Sequence, residues 1–282
     1  MFSNFNMRIF RVILLLMASS QLFAQEDYVS MIVNRGASPL YKQRHHLLHA
    51  MNQSDLQGAS ERLFVFMADG QPPEHMGEDD YLSLCNDIYD KIFDLGIDQT
   101  GCLSHALEVI PDETRMFVWR DYCIQKMAKT LIADGINEGE RTKGLQLLDE
   151  LSAGRFSGLQ GTALIVAYAL SEHPEIAVEI GMSTSVVGLR ALQCAQNTSA
   201  ELIDRVTALQ VAARCAAPGT LEYVRSTLSD ELPAAPMLKV SSIAAVGMLG
   251  TDEDRVLLSA YRQSPDIRYR KAARSALKNL EK

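Results

Sequence analysis

The chain has 282 residues, with 27 basic and 35 acidic side chains and a net charge of −8. That acidity argues against nucleic acid as a partner, because binding it rests on neutralising phosphates with Lys and Arg. None of the five cysteines stands in a CxxC or CxxCH arrangement, which argues against a thioredoxin-like redox centre and against attached haem.

Met1 to Phe23 carries Arg8 and Arg11 and no acid, followed by an apolar run from Val12 to Ala18 and then Ser19-Ser20-Gln21-Leu22-Phe23-Ala24. This is the pattern of a secretory signal peptide over residues 1–24, cleaved after Ala24. Its apolar run is shorter than the roughly 20 residues that span a bilayer, and an uncleaved anchor is the alternative. The expected mature chain, residues 25–282, is therefore periplasmic or extracellular, with no membrane span left after cleavage. It is longer than a typical single globular domain, but stacked helix pairs need no common core, so one elongated domain is expected.

Gln25 to Arg35 shows no period and reads as a short extended arm. Ser38-Pro39 reads as a helix start, with Leu40, Leu47, Leu48 and Met51 on one face. Ser54 to Gln57 fits a capping box opening a second helix through Leu63, Phe64 and Met67. Gln71 to Glu78 reads as a loop. Helical spacing resumes from Asp79 to Phe93, from Cys102 to Val109, and from Asp112 through Met116, Trp119, Cys123, Ile124, Met127 and Leu131. Further helices are marked by Leu145, Leu148 and Leu151, by Thr162 to Leu170 (apolar almost all round), by Val186 to Ala195 and by Leu202 to Ala216. No alternating segment is bounded by hairpin residues. The predicted class is all-α.

The C-terminal stretch repeats itself. Pro236 to Leu249 aligns without a gap on Pro265 to Lys278, proline on proline and Lys239 on Arg268, and Arg205-Val206 matches Lys239-Val240. Gly219-Thr220 and Gly250-Thr251 introduce short helices ahead of the last two copies, glycine suiting a left-handed helix end and threonine the next N-cap. The spacing, roughly 30 to 40 residues, is that of helical repeat proteins. Asp266-Ile-Arg-Tyr-Arg-Lys-Ala-Ala-Arg-Ser-Ala-Leu resembles the second helix of a HEAT-type (PBS-lyase-like) repeat, with Arg270 at the family's arginine and Ser241 and Thr207 at the matching places. The resemblance implies an α-solenoid of stacked antiparallel helix pairs and a scaffold that binds a protein partner. Catalytic members of that family imply traces such as repeated His-Glu pairs, whereas Glu74-His75 has the reverse order. An enzyme or metal-binding protein on the same scaffold is the alternative, and no cofactor is expected.

Three groups of residues carry possible chemistry. His45 and His49 stand one helical turn apart, the spacing of two imidazole ligands, but no third ligand is local and Leu47-Leu48 replaces a zinc-protease glutamate; the plainer reading is a solvated flank. Glu74, Glu78, Asp79, Asp80, Asp87, Asp90, Asp94 and Asp98 form an acidic stretch, and Arg268, Arg270, Lys271, Arg274 and Lys278 make the last helix basic. Such charges steer partners or simply suit helix termini. If the chain folds back at Pro111-Asp112, Cys102 and Cys123 lie level on neighbouring helices, and a disulfide is expected between them, contributing on the order of 3 kcal/mol in the chain-entropy model. Cys85, Cys194 and Cys215 read as apolar core thiols.

Overall fold

The computed structural model describes residues 28–179, 181–229 and 234–281. The leader 1–24 lies outside them. The described residues are helical with no strand, as the all-α reading requires, and none of their helices is long and apolar enough to cross a membrane. The chain divides into two compact units: one reaches Tyr122 and includes 135–137, the other holds 123–134 and everything from Glu138 on.

In the first unit, residues 28–33 (α1) are helical rather than an extended arm. Val29 and Ile32, three apart, are both buried, and that shared face supplies the reason to coil. α2 (Tyr41–Ala50) begins two residues later than Ser38-Pro39 suggests. The Gln43 side chain accepts from the Leu40 N–H at 2.9 Å, which fixes the start there and leaves Leu40 exposed while Leu48 and Met51 are buried. The next cap is Asn52, not Ser54. Its Oδ1 accepts from Ser54 N at 2.8 Å and the Asp55 carboxylate accepts in return from Asn52 N at 2.9 Å, opening only the short α3 (Gln53–Leu56). Gly58, at φ 82°, separates α3 from α4 (Ser60–Ala68). α5 (Glu78–Asp94) packs on α2, α4 and α6 (Gln99–Val109), and α6 packs on α4. The division between units falls within α7 (Phe117–Leu131).

The second unit is built from helix pairs. α8 (Glu138–Ser152) packs on α9 (Gln160–Ser171), and α11 (Thr184–Gln196) on α12 (Leu202–Arg214), with the short α10 (Pro174–Glu179) against α9. α13 (Thr220–Leu228) packs on α14 (Pro236–Leu249), and α15 (Arg255–Arg262) on α16 (Ile267–Asn279). The second members also touch in succession, α9 on α12, α12 on α14 and α14 on α16. Small residues allow the approach. A Cβ on Gly247 would lie 2.5 Å from the Ala276 Cα, and one on Gly161 would lie 2.9 Å from the Thr207 Cβ.

Aligned on their first residues, α12 and α14 alternate exposed and buried positions almost in step: Ile203 and Met237 outside, Asp204 and Leu238 inside, Ala208-Leu209 and Ser242-Ile243 inside. This is the register expected from Arg205 on Lys239. For α16 the proline-on-proline alignment is off by two. Pro236 is the first residue of α14, whereas Pro265 precedes the N-cap Asp266, whose carboxylate accepts from Arg268 N at 2.8 Å. Aligned by helix start, buried Ala273 and Ala276 fall on buried Ser242 and Ala245. The glycine-threonine turns also differ. Gly219 is left-handed at φ 87° and is itself the N-cap, so Thr220 does not cap; Gly250 is extended and is required because a Cβ would sit 2.5 Å from the Val246 carbonyl.

An arginine recurs at one helical position in both units. The fourth residue of α2, α7, α8, α12 and α16 is Arg44, Arg120, Arg141, Arg205 and Arg270 in turn. Each reaches back to a carbonyl in the last turn of the preceding helix or beyond its end. Arg120 donates to Ile110 O at 2.8 Å, Arg141 to Ala133 O at 3.1 Å, Arg205 to Ala195 O at 3.1 Å and Arg270 to Ser264 O at 2.8 Å. Arg44, fully buried, donates to Ile32 O at 2.7 Å, Pro39 O at 2.9 Å, Gly36 O at 3.2 Å and also to Asn34 O. The last carbonyls of a helix lack intrahelical donors, and a guanidinium supplies them with charge-assisted bonds.

Candidate functional site

α2 lies along α5 within the first unit. α5 buries Tyr81, Leu82, Leu84, Cys85, Ile88, Tyr89 and Ile92, so Ser83, Asp87 and Lys91 fall on another flank at four-residue spacing. Tyr41, His45 and His49 make the matching stripe on α2. Three rungs join the stripes. Tyr41 Oη donates to Ser83 Oγ at 3.2 Å, His45 Nε2 lies 2.9 Å from Asp87 Oδ2, and Lys91 Nζ donates to the His49 carbonyl at 3.3 Å. Because the rungs rise together, the two helices run in the same direction.

The middle rung gathers a cluster. His45 Nε2 and His49 Nε2 are 3.2 Å apart, with ring centroids at 4.3 Å, and one ligand atom from each of His45, His49 and Asp87 lies within 4.8 Å of the others. His49 is exposed, and His45 and Asp87 are half-buried. Asp87 thus brings to the two histidines the third candidate ligand atom that the local sequence lacks. It sits in the acidic stretch with nothing to single it out until α5 is laid against α2. His46 is exposed and stands outside the cluster.

Four other acids of the stretch have local duties. Glu78, Asp79 and Asp80 occupy the first turn of α5, where the helix dipole favours them, and Asp98 caps α6 by accepting from Gly101 N at 2.7 Å. On α16, Arg268 pairs with Asp266 at 2.6 Å, whose carboxyl is held down at about 2 by bonds from Arg268. Arg270 serves the turn carbonyls, while Lys271, Arg274 and Lys278 are exposed.

No disulfide forms among the described residues. Cys102 and Cys123, expected to be bridged, are both thiols and both fully buried. The Cys102 sulfur points to the Tyr89 carbonyl at 4.0 Å while Tyr89 Oη donates to the Cys102 carbonyl at 3.0 Å, so this thiol is engaged with its own α5–α6 pair. Burial pushes the Cys85 and Cys194 thiols up to about 12 and Cys215 to about 11, which keeps them protonated and poorly nucleophilic.

The cavities of the described residues include one in each unit lined by several charged side chains. In the first unit a groove of about 800 Å³ is lined by Val33, Val65, Phe66 and Arg115 together with Arg35. Arg35 is fixed in place by Asp69 at 2.6 Å and the Phe66 carbonyl at 3.0 Å, and stacks over the Phe66 ring at 4.6 Å. In the second unit a polar cleft of about 520 Å³ is lined by Arg155, Gln160, Arg190, Asn197 and Asp204. Arg190 is tied there to Asp149 at 2.7 Å, and buried Asp204 accepts from Gly158 N and Gly161 N, capping α9 from a neighbouring helix. Their polar groups are thus largely spent on the fold. His105 of α6 lies between the rings of Phe64 (5.5 Å) and Trp119 (5.9 Å), and burial, with Arg115 nearby, pushes its pKa down to about 4. A scan against protein-family models finds no match to the chain, and a search of curated proteins finds none either.

Proposed function

We propose that the mature chain is an exported α-solenoid of HEAT type that serves as a scaffold for a protein partner in the periplasm or cell envelope. The observation that carries this reading is the second unit's row of helices. α9, α12, α14 and α16 touch in succession, each paired with a neighbouring helix, and α12 and α14 bury and expose the same positions. Units packed only on their neighbours create long surfaces without a common core, and such surfaces are used for binding. Ile203 and Met237 occupy the same place on successive helices and are both exposed, at 57% and 48%. Apolar side chains presented in register along a row suit a partner's apolar contacts.

The test is site-specific photocrosslinking in the native envelope, with the reactive residue at 203 or 237. One adduct of constant mass from both positions supports the scaffold. The double change Ile203→Glu with Met237→Glu, exposed positions that leave the helices intact by circular dichroism, is expected to abolish recovery of that partner by affinity capture. A chain that yields no adduct, or a partner retained in full by the double variant, overturns the reading.

A further inference from the structure

We infer that His45, His49 and Asp87 form a binding site for one divalent transition-metal ion of the zinc class, joining α2 to α5. The inference does not depend on the scaffold reading. Its first support is distance. A tetrahedral ion with ligand bonds of about 2.0–2.1 Å holds its ligand atoms about 3.3 Å apart, and the two closest pairs here stand at 3.2 Å (His45 Nε2 to His49 Nε2) and 2.9 Å (His45 Nε2 to Asp87 Oδ2). Only the His49–Asp87 edge, within 4.8 Å, has to close, and His49 is an exposed side chain able to make the move.

Proton accounting gives the second support. A neutral imidazole nitrogen carries either a proton or a lone pair. If His45 Nε2 donates its proton to Asp87, it has no lone pair left for His49; if it accepts from His49, it cannot donate to Asp87. With both rings neutral, the two contacts of His45 Nε2 have at most one shared proton between them, whereas a single cation bonds all three ligand atoms directly. Lys91 does not compete for the place, because its ammonium donates to the His49 backbone carbonyl rather than to a ring or to Asp87. Rigidity is the third support: His45 and His49 stand one turn apart on a helix, and Asp87 comes from a flank of α5 whose opposite side is buried.

Two imidazoles and one carboxylate select the ion. Calcium and magnesium demand oxygen ligands, whereas imidazole suits zinc, copper(II) and nickel(II). Three protein ligands leave a fourth position open, and partial exposure of His45 and Asp87 places that position towards solvent. The ion would tie together two helices whose ligands are 42 residues apart.

The experiment titrates zinc into mature protein prepared without a polyhistidine tag and stripped with chelator, using a competing chromophoric chelator at a pH of about 7.5, where imidazole is neutral. About one equivalent is expected to bind with micromolar or tighter affinity, and His45→Ala, His49→Ala and Asp87→Asn are each expected to weaken it by at least about 10-fold. His46→Ala should bind as the wild type does. X-ray absorption of the zinc-loaded wild-type protein, which needs no variant to fold, is expected to show a nitrogen and oxygen shell with two imidazoles. Wild-type binding no tighter than that of the His45→Ala protein, unchanged affinity in Asp87→Asn, or a shell containing sulfur would each overturn the site.

Discussion

The two units solve the same packing problem with different side chains. Up to Tyr122 the chain buries bulky groups, among them Arg44, Tyr81, Tyr89, His105 and Trp119, whereas the polar groups buried from Glu138 on are smaller, such as Ser242, Thr220 and Asp204. From Glu138 on, the second helices of the pairs meet through Gly161, Gly247 and Ala276, which let backbones approach. Close contact between small residues admits few geometries, so successive helices fall into step and expose equivalent positions. Bulky side chains each need a tailored surrounding, and what the first unit shares with the second is the fourth-position arginine, in Arg44 and Arg120.

The contrast between the units breaks most easily at Arg44. Arg44→Met removes the donor for the carbonyls of Met31, Ile32, Asn34, Gly36 and Pro39, of which Ile32 and Pro39 are buried, and the expected loss is about 4 kcal/mol. Hydrogen exchange by mass spectrometry should rise first in α1 and α2; protection unchanged there would show that Arg44 is replaceable. The next largest effect is a pH dependence. His105 has a folded pKa near 4 against an unfolded value of 6.5, so the folded state holds it neutral. It costs nothing above pH 6.5. Below that the unfolded chain gains a proton the folded chain refuses, and stability falls by about 3 kcal/mol by pH 4. Denaturant melts of wild type and His105→Gln over that range should differ in slope, the variant being flatter; parallel profiles would remove His105 from the account. The smallest effect sharpens the other side. Gly247→Ala should cost about 2 kcal/mol despite alanine's better helix propensity, since its Cβ would meet the Ala276 backbone at 2.5 Å. A gain in melting temperature would show that α14 and α16 can part cheaply.

The same difference in packing decides what is legible in the sequence. Most of the longer helices are readable, because apolar spacing needs only local information. The alignment of Arg205 on Lys239 gives the correct register, since small-residue contacts preserve it, and that of Pro236 on Pro265 misses by two because Asp266 caps its helix with a side chain where Pro236 starts one by its ring. The coil of residues 28–33 is hidden, as its stability comes from Val29, Ile32 and the distant Arg44 rather than from a period. Half of the histidine cluster is visible as an i, i+4 pair. Asp87 is not, because it belongs to a different helix and is one carboxylate of a long acidic run.

The fourth-position arginines carry a consequence for biogenesis. Their bonds span between 5 and 13 residues, so each turn is clamped by chain that has only just followed it. Closure waits for nothing made later. A polypeptide that emerges amino end first could therefore lock one bend after another, shielding every finished corner before the next segment arrives.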